Sequence, residues 1–205
     1  MPKDQSKIPI EFRTEKRKEK VRKVVEKRQP DLTLILENLN DPHNFSAVLR
    51  SCDAVGIMKV HMVYYGSQPF PRLGKKSSGS ARKWIDICRY DSIPECYDVL
   101  RSEGKKIYTT HMGKDSVSLY DLDLSQPVAL VFGNEHTGVS EEAVRLADGN
   151  FLIPQMGMIQ SLNISVAAAV TLYEAFRQKS NVGHYKEPVL KGKQFKDLHD
   201  DYLKR

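Results

Sequence analysis

LTLILENLNDPHNFSAVLRSCDAVGIMKVHMVYY, residues 32–65, decides the fold class. Residues 32–39 (LTLILENL) read as a strand buried on both faces. Pro42 sits just inside a turn, and HNFSAVLRSCDAVG then carries Phe45, Val48, Leu49 and Cys52 along one helical stripe until Gly56 stops it. KVHMVYY (59–65) is the next strand. The same alternation continues outward. Upstream, residues 11–28 form a charged helix with Val21, Val24 and Val25 at helical spacing, ended by Pro30. Downstream come a short strand at 84–90, a helix at 93–103, and strands at 106–112 and 127–133. A short helix from Ser140 to about Leu146 has acids in its first turn, as the helix dipole prefers. A strand at 151–154 and a helix carrying Ala167, Ala168 and Ala169 complete the series. Strands separated by helices predict an α/β parallel sheet with helices on both faces.

The 205 residues suit one domain with appendages. Hydrophobic residues make up 40% and charged residues 28%, with no apolar run long enough to span a bilayer and a charged rather than apolar N-terminus. Cys52, Cys88 and Cys96 are odd in number and lack CxxC spacing, so they read as small buried hydrophobes in a reducing compartment, and the cytoplasm is expected. No ligand cluster suggests a metal site. The charge is unevenly placed: residues 1–30 hold 11 Lys or Arg against 5 Asp or Glu, which equals the whole chain's net of +6. Segment 66–84 (GSQPFPRLGKKSSGSARKW) adds 5 Lys or Arg and no acid. Two basic zones on a neutral body suit a polyanion, although solvated surfaces would look the same.

Neither GxxxxGK[ST] nor GxGxxG follows any strand, so kinase, NTPase and dehydrogenase readings lose their support. Polar loops instead follow the strands' C-terminal ends, where open α/β sheets bind ligands. They are NDPHNFSAVLR, FGNEHTGVS and IPQMGMIQSLN. Taken singly, Gly133, Gly138 and Gly157 could merely turn the chain, and Ser161 or Asn163 could merely cap the last helix.

Together, NDPHNFSAVLRSCDAVG, LVFGNEHTGVSEEA and IPQMGMIQSLNISVAAAVTLYEAFRQ resemble motifs 1, 2 and 3 of the SPOUT-class RNA 2′-O-methyltransferases, SpoU branch, in order over about residues 28–180. RQPDLT (28–33) and the lengths of both tails look most like the members acting on guanosine 18 of the tRNA D-loop. The resemblance implies a parallel-sheet SPOUT fold with a C-terminal deep trefoil knot, flanked by N- and C-terminal helices. It also implies S-adenosylmethionine as cofactor, and an obligate homodimer with active sites at its interface. A basic extension (1–30), the methyltransferase domain (31–180) and a helical tail (181–205) follow as the domain plan. The partners are tRNA and a second copy, with no membrane or DNA.

Similarity assigns the cofactor's adenosine to backbone near Thr109, Gly133, Ile153 and Leu162, with Thr110, Met158 and Ser161 lining the pocket. Asn44, Arg50, Glu135, Ser161 and Asn163 match the family's functional polar positions. A guanidinium is a poor base at neutral pH, so Arg50 is expected to fork onto substrate phosphate and polarise the ribose hydroxyl. Asn44 could cap its helix or position substrate. Glu135 could offset the sulfonium charge, order Arg50, or brace its loop. Ser78, Arg82 and Lys83 would contact RNA, with Trp84 packed, and Arg13, Arg17, Lys20 and Lys23 would grip tRNA phosphates. Another tRNA nucleotide, or ribosomal RNA, stays open as substrate. Relatives acting on ribosomal RNA often carry a separate domain before the catalytic one, and only about 30 residues precede the first strand here. A non-catalytic RNA-binding protein is the rival of a different class.

Overall fold

The computed structural model describes residues 13–66, 70, 81–113 and 115–205. Its strands are β1 (Leu32–Glu37), β2 (Lys59–Val63), β3 (Asp86–Tyr90), β4 (Lys106–Thr110), β5 (Val117–Ser118), β6 (Val128–Phe132) and β7 (Gly149–Leu152). They form one sheet in the order β3-β2-β1-β6-β4-β7-β5, and every registered pair is parallel. The helices are α1 (Glu15–Val25), α2 (Pro42–Ala54), α3 (Ile93–Ser102), α4 (Glu141–Leu146), α5 (Ile164–Asn181) and α6 (Gly192–Lys204).

The predicted two-sided burial is present. Strand side chains alternate between faces, so Leu32, Leu34, Leu36, Val128, Leu130 and Phe132 meet α2 through Phe45, Val48, Leu49 and Cys52. On the same side α5 contributes Ala168, Leu172 and Ala175. The opposite face joins Ile35, Ala129, Val131 and Ile107 to Ile93, Cys96, Tyr97 and Leu100 of α3 and Ala143 of α4. The alanines of α5 let that helix approach α2 closely while Val166 and Tyr173 on its other side stay exposed. A third, smaller core joins the terminal helices: Val21 and Val25 of α1 pack with Tyr202 and Leu203 of α6, and Trp84 lies against them.

Boundaries moved where backbone pairing decided them. The first helix spans Glu15–Val25, with Thr14 capping it, and Val24 faces solvent instead of the core. α2 starts at Pro42, one residue before the expected stretch, because Asp41 accepts the His43 N–H and fixes the cap. Trp84 belongs to the end of a 3₁₀ turn (Ala81–Lys83) and not to the strand, and its N–H closes that turn on the Ala81 carbonyl. β7 begins at Gly149, two residues early. The two-residue β5 carried no periodicity to read. Gly56 ends α2 with φ +86°, and a Cβ there would stand 2.4 Å from the Lys27 carbonyl oxygen, so the stop is also a close crossing of chains.

Candidate active site

Asn44 stands in the first turn of α2 with its capping task already taken by Asp41. Its Nδ2 donates to Glu135 Oε1 at 3.0 Å, and its Oδ1 accepts from Asn163 Nδ2 at 3.1 Å. Asn163 caps α5: its Oδ1 accepts the Ser165 N–H at 2.9 Å and the Ser165 hydroxyl at 2.6 Å. The orientation of this line is forced. A helix N-terminus only donates, so Asn163 must turn its oxygen inward and offer its amide N–H outward, and an ionised carboxylate at the other end only accepts. One hydrogen-bonded line therefore joins the three motif loops.

The second motif loop is held from beneath. Asn134 Oδ1 accepts from the His136 and Thr137 N–H groups (2.8 and 3.2 Å), while its Nδ2 donates to the Asn38 carbonyl at 2.8 Å. Asn134 and Gly138 exchange backbone hydrogen bonds of 2.9 Å. That closure brings Gly133 so near Gly138 that a Cβ would lie 2.1 Å from its carbonyl. Buried Glu37, at the end of β1, accepts from the Ser140 N–H at 2.9 Å and from the Tyr65 hydroxyl at 2.6 Å. Neither Asn134 nor Glu37 is singled out in the sequence reading. The Asn–x–x–x–Gly pattern of a side-chain-closed turn was a signal for the first, and nothing local marked the second.

The second and third motif loops and the end of β4 enclose a cleft of about 530 Å³, within the range of small-molecule sites, and neither Asn44 nor Arg50 of α2 is among its lining residues. Thr110, Gly133, Glu135, Ile153, Ser161, Leu162 and Asn163 line it. Two expected cofactor positions, Met158 as a lining side chain and Thr109 as backbone, are not among the lining residues. Met158 is 99% exposed, outside the cleft, because its loop bulges into solvent. The Thr109 side chain is buried and donates to Asn150, and its main chain lies in the sheet between β6 and β7, so it is its neighbour Thr110 that reaches the cleft. Gln155 Oε1 on the wall is buried with no partner among the described residues, an acceptor open to an amino or hydroxyl donor.

The model of the SpoU rRNA Methylase family matches residues 31–173. The chain belongs to the SpoU methylase family. It is 42% identical over 194 residues to the tRNA (guanosine(18)-2'-O)-methyltransferase of Thermus thermophilus, covering 94% of this chain and 98% of that one. Its fold is similar to the crystal structure of the A. aeolicus TrmH/SpoU tRNA modifying enzyme, with TM-score 0.84 and 37% identity over 92% of this chain and 95% of the other. A SpoU methyltransferase, AviRb from Streptomyces viridochromogenes, solved in complex with the cofactor AdoMet, aligns with TM-score 0.64 and 27% identity over 76% of this chain and 59% of its own. S-adenosylmethionine is the cofactor of SpoU methylases, and the cleft fits it: a volume of small-molecule size and, among the described residues, an acceptor on its wall with no partner of its own.

In this SpoU methylase Arg50 stands apart from the three-loop line. It is exposed, and among the described residues it makes no ion pair with Glu135. Six residues beyond Asn44, it lies about 9 Å farther along α2 and about 240° around it. The basic residues divide by environment. Lys20 and Lys23 are exposed on α1, Lys23 pairing with Glu19 at 3.2 Å. Arg13 is 7% exposed, its guanidinium donating to the Lys204 carbonyl, and Arg17 lies over the Trp84 ring at 5.4 Å. Both therefore touch the packing around the terminal helices, while Lys20 and Lys23 face outward. Arg82 and Lys83 are exposed, and Trp84 is packed as expected. Ser78 lies outside the described residues. No helix among the described residues is long and apolar enough to cross a membrane.

Proposed function

We propose that this SpoU methylase transfers a methyl group from S-adenosylmethionine to the ribose 2′-oxygen of guanosine 18 in the D-loop of tRNA. The observation that carries the reading is the line Glu135–Asn44–Asn163 at the cleft, in a chain that pairs nearly end to end with a relative named for that reaction. Backbone near Thr109, Gly133, Ile153 and Leu162 holds the cofactor, with Thr110 and Ser161 beside it and Gln155 as an added acceptor. When bound, S-adenosylmethionine supplies an electrophilic methyl on its sulfonium. Asn44, steered from both sides, presents its amide to the substrate ribose, and Glu135 keeps that amide oriented while placing negative charge at the cleft. The 2′-hydroxyl gives its proton up to solvent as its oxygen is methylated, and Arg50, forked onto a substrate phosphate, stabilises the negative charge that develops on that oxygen. Ser78, Arg82, Lys83, Lys20 and Lys23 bind RNA.

A homodimer completes the site in this reading. Val166, Val170 and Tyr173 form an apolar stripe along α5, and Met156, Met158 and Ile159 project from the cleft's own loop. A second copy covering them brings Arg50 of one protomer toward the cleft of the other. The deep trefoil knot belongs to the same reading: the connections from β5 to β6 and from β6 to β7 both pass over β4, the kind of crossing a knotted path needs. Residues 31–180 form the methyltransferase domain, 1–30 and 181–205 are its RNA-binding helical extensions, and the enzyme works in the cytoplasm.

The test is methyl transfer from labelled S-adenosylmethionine to an unmodified tRNA transcript, with the modified nucleotide mapped. Label on the 2′-oxygen of guanosine 18 is expected, and Arg50→Ala should lower kcat by about 10²–10³ while cofactor affinity holds. Transfer to ribosomal RNA alone would keep the chemistry and discard the substrate. No transfer to any RNA would leave a binding protein.

A further inference from the structure

The exposed basic pair Arg82-Lys83 sits in a 3₁₀ turn of three residues, in which the Trp84 N–H donates to the Ala81 carbonyl at 2.9 Å. So short a 3₁₀ turn has little stability of its own. The next carbonyls along the chain are both taken by α6, more than 100 residues away. Arg205 Nη1 donates to the Lys83 carbonyl at 2.6 Å, and the Tyr202 hydroxyl donates to the Trp84 carbonyl. Arg205 Nη2 also pairs with Asp86 Oδ1 and Asp201 Oδ2, each at 2.7 Å, so its fork is held at both ends. The guanidinium lies 5.0 Å from the centre of the Tyr202 ring, and that ring is 5.2 Å from Trp84, whose other neighbour is Arg17. Tyr202 is 1% exposed.

Leu203 and the Tyr202 ring give α6 its apolar contact with Val21 and Val25. The polar groups do something else: they address main-chain carbonyls, and so fix the dihedrals from which the Arg82 and Lys83 side chains leave the turn. The geometry points to Arg205 and Tyr202 as positioning residues for RNA, setting the direction in which the Arg82-Lys83 pair is presented to the tRNA backbone. This rests on the reading above that Arg82 and Lys83 contact RNA. In such an arrangement the side chains supply the charge and α6 supplies the aim. The effect therefore falls on tRNA affinity and leaves the cofactor cleft alone.

The experiment is steady-state methyl transfer by the full chain, with KM for tRNA, KM for S-adenosylmethionine and kcat measured well below each variant's unfolding midpoint. Arg205→Ala should raise KM for tRNA about 5-fold, the scale of one net hydrogen bond. Tyr202→Phe, which keeps the ring and loses one donor, should raise it about 2-fold to 3-fold on the same scale. Both should leave kcat and KM for S-adenosylmethionine within error, and Arg205→Lys should recover part of the loss. In an Arg82→Ala, Lys83→Ala background the Arg205→Ala effect should vanish, because nothing remains to be aimed. If the basic pair matters but Arg205→Ala and Tyr202→Phe leave KM for tRNA unchanged, the positioning role is overturned and the RNA contact stands. An undiminished Arg205→Ala effect in the double background, or a loss shared by all three parameters, likewise reduces α6 to a structural element. If Arg82→Ala, Lys83→Ala itself leaves KM for tRNA unchanged, the RNA-contact reading falls and the proposal with it.

Discussion

Gly133 shows what a single residue decides at this site. A methyl group there would overlap the Gly138 main chain at 2.1 Å, and backbone cannot swing aside as a side chain can. Gly133→Ala should therefore open the 133–138 turn, lower stability by on the order of 3 kcal/mol and weaken S-adenosylmethionine binding at least ~10-fold. Thermal unfolding beside calorimetric titration checks both, and wild-type values for each would contradict the close crossing. Residue identities were legible in the chain, since the motif loops name Asn44, Glu135 and Asn163 before any coordinates. Their partners were not. Asn44 meets Glu135 and Asn163 across 91 and 119 residues, and a hydrogen bond at that separation leaves no local pattern. Only the fold shows that Asp41, not Asn44, does the capping, and that Met158 points away from the cleft.

At the scale of elements, β1 and β6 were read well because strands buried on both faces are written as continuous apolar runs, and the burial of each is unbroken. Elements with little core were read less well. β5 spans two residues, and α1 keeps only Val21 and Val25 inside. The helix α1 carries its own prediction. Lys20 and Lys23 face solvent while Arg13 and Arg17 are packed, so the pair Lys20→Ala, Lys23→Ala should weaken tRNA binding and lower the magnitude of the salt slope by about 1–2. Filter binding across a salt series measures this, and an unchanged slope would make α1 a structural brace only. Charge spacing could not separate these four cations, because burial depends on where α6 lies.

For the whole molecule, the dimer proposed above would tie activity to assembly through the exposed residues of α5. Val166→Glu with Tyr173→Glu should convert a dimer to a monomer in light scattering and abolish methyl transfer, since charge on an apolar contact carries a large desolvation cost. A monomeric wild type would sink that expectation at once. The sheet's far side gives a pH dependence. His61 on β2 is 1% exposed, near the Tyr90 hydroxyl at 3.1 Å. Burial chiefly, helped by Lys105 and Lys59 against the opposing pull of Glu103, lowers its pKa to about 4. The unfolded chain takes up that proton near pH 6.5, while the native state refuses it until about 4. Stability present above pH 6.5 is thus lost as pH falls through this window, by up to about 3 kcal/mol. Denaturant melts should show the slope between pH 6.5 and 4.5, and His61→Gln should flatten it.

By itself the sequence determined the alternation of the longer strands and helices and their apolar faces, because each is encoded by neighbours within a few turns of chain, and the resemblance of its motif loops pointed to their chemistry. Tertiary structure alone decided the sheet order that sets β6 between β1 and β4, the forced orientation of the Asn44 amide, and which cations are packed instead of presented. These depend on residues brought together from distant parts of the chain, and the free energy of such pairings is settled by packing and by the sharing of hydrogen bonds, which no local stretch contains.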